Sequence, residues 1–231
     1  MNFVYTCRDG ENEELRYSMR SVLHSFPDAK IWVSGGRPDW YDGNYIKVYQ
    51  DSSPHVNQLS NFMAACKSKS IDDNFILMND DFFITNKIEK IDYFHGGLLE
   101  DKISTYYDLV KDNSYVRRLM QTKNRLNKYG ILHPLDYELH VPFPVEKDKF
   151  MFILEKDERS NWRSMYGNRF NVGGTRIVDV KVYESGELMK KSFDYKNKKS
   201  DFLSSLDESF KILKPTLEAL FPNPTKFEKT S

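Results

Sequence analysis

Cysteine is scarce in this chain: Cys7 and Cys66 are the only two in 231 residues, and their spacing suits no metal site. Cys66 falls on the apolar side of an expected helix, which reads as a reduced, buried thiol. No apolar run approaches the roughly 20 residues a bilayer span needs. The opening MNFVYTCRDGENEE turns acidic within a few residues and lacks the basic start and apolar centre of a secretory signal. The expected location is therefore cytoplasmic. Net charge is also missing, with 34 Lys+Arg against 34 Asp+Glu. No global field draws the chain to nucleic acid or an anionic membrane, although a local basic patch leaves nucleic acid open. Internal repeats and low-complexity tracts are absent.

What is present argues for a folded globule: 39% hydrophobic and 14% aromatic residues, in a chain long enough for one large domain with a sizeable core. Phe3–Thr6 reads as a strand, followed by a helix from about Glu11 to Phe26 with Leu15, Met19, Val22, Leu23 and Phe26 at helical spacing. Lys30–Ser34 is a second strand, stopped by Gly35-Gly36, and Tyr45–Tyr49 a weaker third. Ser52-Ser53-Pro54 opens another helix, with serine as cap and proline in the first turn. Phe75–Met78 is the next strand. This rhythm is that of an α/β sheet with covering helices. Further on, Tyr106 to about Asn127 reads as one helix and Gly130–Pro144 as a structured loop. A helix follows near Lys147–Glu155, then a β-rich run over Thr175–Tyr183. Glu184–Ser200 is a charged, turn-rich loop, and Leu206–Leu220 a closing helix.

The stretch FILMNDDFF, residues 75–83, sets Asp80 and Asp81 between two greasy runs at a strand's carboxyl end. Ligands bind at that end in open α/β sheets. An adjacent carboxylate pair there suits a hard divalent cation, which prefers oxygen donors and fills its shell with water or phosphate. A plain polar turn is the competing reading.

Three ordered segments extend this. Val4–Gly10 reads VYTCRDG. Asn12–Ser21 reads NEELRYSMRS and leads to Ile31–Gly36 (IWVSGG) and Pro38-Asp39-Trp40. The third is FILMNDDFF itself. Together they resemble the Stealth family of capsular-polysaccharide sugar-phosphotransferases, within nucleotide-sugar transferases of the GT-A type. Cys7-Arg8 stand where that family has a Trp-Val pair. Leu139–Pro142 (LHVP) and Asn168–Phe170 (NRF) resemble its later elements.

The resemblance implies a GT-A-like mixed sheet flanked by helices, with an irregular α+β C-terminal part. It implies one transferase domain over 1–231, whose residues 1–100 hold nucleotide and metal and 101–231 the acceptor side and closing helix. Tyr5, Thr6, Arg8, Asp9, Arg16 and Asn79 would border the nucleotide, and Asp80 and Asp81 would hold Mn²⁺ or Mg²⁺. Asp81, His140 and Arg169 would be catalytic, with His133 the rival to His140 as base. Loss of the acid pair would then abolish turnover rather than folding. The donor expected is a UDP-sugar, and the acceptor a hydroxyl on a polysaccharide, small molecule or modified base. Transfer of the sugar and of sugar-1-phosphate both stay open. A non-catalytic nucleotide-sugar-binding module and a metal-dependent phosphatase or nuclease are the alternatives. Trp40 and Trp162 read as core packing before sugar stacking.

Overall fold

The computed structural model describes residues 1–51 and 53–229. Alternation along the strands sets the architecture, because neighbouring side chains of a strand face opposite sides. In β1 (Asn2–Cys7), Phe3, Tyr5 and Cys7 enter one core while Val4 enters the other. Helix α1 (Glu13–Ser25) follows, then β2 (Lys30–Gly35), β3 (Asn44–Lys47), α2 (Pro54–Lys67) and β4 (Asn74–Asn79). In β4, Ile76 and Met78 face the first core, and Phe75 and Leu77 the second.

The second half adds β5 (Phe82–Ile84), β6 (Phe94–His95), α3 (Leu99–Val110), α4 (Ser114–Lys128) and β7 (Phe143–Glu146). After these come α5 (Lys147–Lys156), α6 (Trp162–Arg169), β8 (Thr175–Arg176), β9 (Phe202–Ser204) and α7 (Asp207–Leu220). The main sheet runs β3-β2-β1-β4-β7, parallel except for β7, which is antiparallel to β4. Helices α1 and α7 contribute to the first core, and α2, α5 and α6 to the second. The expected mixed α/β sheet with flanking helices is what the chain forms.

Local chemistry explains the boundaries. Asn12 caps α1, accepting from the Leu15 amide, and Ser53 caps α2 through the Val56 amide with Pro54 in the first turn. Ser52, expected beside that cap, lies outside the described residues. The helix expected over 106–127 is two, α3 and α4. The chain breaks at Lys111, whose φ of 58° is left-handed, and Asn113 caps the restart. Phe143–Glu146, which begins inside the expected loop 130–144, is an edge strand, where Pro144 costs no central ladder bond. The β-rich run over 175–183 forms only β8 as a strand, with Lys181 bridged to Ser204. Within the charged loop, Glu187–Lys191 is a 3₁₀ turn.

Candidate active site

Strand order changes direction at β1: the chain steps outward to β2 and β3, then crosses back to place β4 on β1's other side. Such a switch point leaves a crevice at the strands' carboxyl ends. Thr6 and Asn79 are register partners there. Both line a cleft of about 660 Å³, together with Arg8, Glu14, Asp80, Asp81 and Lys181. The first turns of α2 and α7 close it, through Pro54, Asn57 and Gln58 on one side and Asp207 and Glu208 on the other. The partial positive charge of a helix N-terminus favours anions at such a position.

The acidic pair is held from two directions. Asn12, while capping α1, donates its side-chain amide to Asp80 Oδ2 at 2.5 Å. Asp81 Oδ2 accepts from Lys181 Nζ at 2.5 Å and from Ser204 Oγ at 3.0 Å. Sheet pairing builds this second contact. β5 runs antiparallel to β9 with Phe82 opposite Ser204, and Ser204 is bridged to Lys181. The Asp81–Lys181 side chains are only 13% and 7% exposed. Arg8 is different: its pair with Asp207 leaves both side chains more than 70% exposed, at 71% and 74%. An exposed pair is worth about 0–1 kcal/mol, so Arg8 is cheaply released to a ligand.

Carboxylates outnumber cations along the cleft, and two of them respond. Burial lifts the Asp80 carboxyl to about 6, reinforced by the Asp81 charge and partly offset by the Asn12 hydrogen bond. Burial likewise lifts Glu14 to about 7; the Ser205 hydrogen bond opposes this, while Asp81 and Asp80 add to it. Glu14 thus titrates near neutrality while lining the cleft, the profile of a proton-transfer group.

That shift also fixes a sign. Glu14 in the native chain ionises above its ordinary 4.5, so stability falls as pH rises from about 4.5 through about 7. Glu14→Gln removes that ionisation. The variant is expected to exceed the parent in thermal stability at pH 8 by on the order of 1–3 kcal/mol, with no gain below pH 4.5. Melting curves at the two pH values check this.

A second group of residues adjoins the cleft. His140 lines a neighbouring cavity of about 300 Å³ that shares Lys181 and Leu206 with it. Asp179 accepts from the His140 backbone amide at 3.0 Å and meets its Nδ1 at 2.8 Å. Burial alone would raise Asp179, but the charge and hydrogen bonds of His140, with Lys102, hold it well below the ordinary carboxylate range. A carboxylate that ionised only accepts, so Nδ1 carries a hydrogen toward Asp179 and Nε2 faces away from that pair.

Of the residues expected at the nucleotide, Thr6, Arg8 and Asn79 line the cleft, as do Asp80 and Asp81. The others go elsewhere, for physical reasons. Tyr5 alternates into the core, fully buried, with its hydroxyl on Ser18. Asp9 is exposed beyond the rim. Arg16 points along α1 to Trp40, 4.1 Å from the ring, and pairs with buried Glu228 at 3.1 Å. It anchors the tail rather than a phosphate. Arg169 lies 3.7 Å over Tyr129, away from the cleft. His133 is exposed, and Trp40 and Trp162 join the two cores. Cys66 is buried as expected, its thiol pushed up to about 12 by that burial.

Sequence reasoning missed Glu14, Lys181 and Asp179. Glu14 passed as an ordinary first-turn acid. Lys181 sits in the run VDVKVY, where alternation with core-facing valines predicts an outward, solvated lysine, so its burial against Asp81 left no local signal.

Asp81's Oδ2 already holds an ammonium and a hydroxyl. Among the described residues no group of three or more His, Cys, Asp or Glu is arranged to hold a metal. A cation gripped jointly by Asp80 and Asp81 does not fit this geometry. Nor is any described helix long and apolar enough to cross a membrane.

No protein-family model and no curated protein matches the sequence, so the Stealth resemblance rests on the quoted segments alone. Among solved structures the chain is similar to the galactosyltransferase LgtC in complex with donor and acceptor sugar analogs. That similarity has a TM-score of 0.47 and 8% identity, over 98% of this chain and 98% of that one. An active-site mutant of LgtC gives a TM-score of 0.43 and 8% identity, over 89% of this chain and 87% of that one.

Proposed function

We propose that this chain is a GT-A-type transferase that takes a sugar from a nucleotide-sugar donor, a UDP-sugar first among them, and passes it to a hydroxyl acceptor. One observation carries the reading. A cleft of about 660 Å³ at the sheet's switch point, large enough for a nucleotide sugar, opens beside a cavity lined by a carboxylate-oriented histidine. The front half of a single domain supplies most of the donor walls, and Lys181 with the first turn of α7 completes them from the second half. The nucleotide is held by Thr6, Asn79 and the amides Asn57 and Gln58, with the α2 N-terminus and Arg8 toward the diphosphate.

His140 Nε2 takes the proton from the acceptor hydroxyl as its oxygen bonds the sugar's anomeric carbon. The bond from that carbon to the phosphate oxygen breaks, and its electron pair leaves on the nucleoside diphosphate. Asp179 steadies the imidazolium so formed. The metal dependence expected from the acid pair is not carried into this reading, because Lys181 already neutralises Asp81.

Incubation with a panel of nucleotide sugars and separation of the products tests it. Release of a nucleoside diphosphate is expected. A nucleoside monophosphate would reassign the reaction to sugar-phosphate transfer. Saturable donor binding without turnover across an acceptor panel of saccharides, phenols and modified nucleosides would leave a binding module, and failure to bind any nucleotide sugar would overturn the reading.

A further inference from the structure

We propose that Lys181 is the built-in cation of this cleft: its ammonium takes the place on Asp81 that a divalent ion would take, and meets the donor's diphosphate there. The inference rests on the donor reading above, and it assigns the charge-neutralising work to a residue of the chain itself.

Four observations converge on Lys181. Its side chain is 7% exposed, and its Nζ ends 2.5 Å from Asp81 Oδ2. Ser204 fixes the same oxygen at 3.0 Å, so the carboxylate is oriented before any ligand arrives. The backbone around Lys181 is clamped on both sides: Val182 donates to the Ser204 carbonyl at 2.8 Å, Ser204 donates to the Val180 carbonyl at 3.2 Å, and Phe193 donates to the Lys181 carbonyl at 2.9 Å. Finally, Lys181 lines both the donor cleft and the cavity that contains His140. It therefore stands at the junction where donor and acceptor would meet.

Donor count and placement favour a resident ammonium over a transient ion. Lysine is a compact point charge with three donors; one bond to Asp81 leaves two for phosphate oxygens. Leaving either member of a buried pair alone is costly, so an arriving divalent ion must first displace an ammonium that is already well placed. Developing negative charge on the departing phosphate oxygen is then stabilised by a group that need not reorganise.

The experiment uses Mn²⁺, UDP and the full chain, with Lys181→Met as the variant, since methionine keeps the apolar stem and removes the charge. Circular dichroism confirms folding, and Lys181→Arg serves as a second, charge-retaining variant. By electron paramagnetic resonance the parent is expected to leave added Mn²⁺ free, whereas Lys181→Met binds it at least tenfold more tightly, an affinity lost again when Asp81→Asn is added. By calorimetry in chelator the parent binds UDP without metal, Lys181→Met loses at least tenfold, and Lys181→Arg retains part. Saturable Mn²⁺ binding by the parent that Asp81→Asn removes would overturn the proposal, as would UDP binding that requires Mn²⁺. Absence of UDP binding under every condition would instead sink the donor reading, and the Mn²⁺ titrations would still decide which cation belongs on Asp81.

Discussion

Replacing His140 with alanine is expected to lower kcat by about 10²–10⁴-fold with KM for the donor little changed. The reason is positional. His140 lines the cavity beside the donor cleft, so its loss removes a proton acceptor without touching the nucleotide's walls. Asp179→Asn separates the base from its orienter. The amide still fills the space, but it no longer stabilises the imidazolium or enforces the hydrogen on Nδ1. Activity should fall in this variant too. Steady-state rates of the two variants measure both effects. Full activity in both Asp179→Asn and His140→Ala would remove His140 from the mechanism.

The second large effect is on folding. Asp81→Ala is expected to destabilise the chain by about 3–5 kcal/mol, because it leaves the Lys181 ammonium buried without its carboxylate. The acid pair alone implied a different result, a loss of turnover with folding intact, and the same denaturation experiment separates the two. The double variant Asp81→Ala with Lys181→Met should recover much of that loss, since removing both charges is far cheaper than stranding one. Chemical denaturation of the four proteins in the cycle gives the interaction energy. Simple additivity of the two single changes would mean that the pair is not formed in solution. Asp80→Ala should cost less, for its carboxyl is already lifted to about 6 and gives up one hydrogen bond from Asn12.

Chain-local information located much of this molecule. Alternating apolar residues mark β1, β2 and β4; capping residues mark the start of α2; and the acidic pair marks the carboxyl end of β4 as a place for chemistry. Thr6, Arg8, Asn79, Asp80 and Asp81 reach the cleft because they end adjacent parallel strands, a consequence of local pattern plus the switch-point rule. Arg16 and Tyr5 failed for opposite reasons. Helical spacing puts Arg16 and Arg20 on one face but cannot say that Glu228, more than 200 residues away, waits there. Tyr5 sits in the strand that reaches the site, yet the period of two turns it into the core.

Sequence by itself determined strands β1, β2 and β4, the capped start of α2 and the presence of an acidic pair where strand β4 ends. Only tertiary structure decided what faces that pair. Lys181 lies 100 residues from Asp81, and His140 lies 39 from Asp179. Local propensity acts over a few residues, whereas the charge and protonation state of a buried carboxylate depend on whichever groups folding brings within a few ångströms.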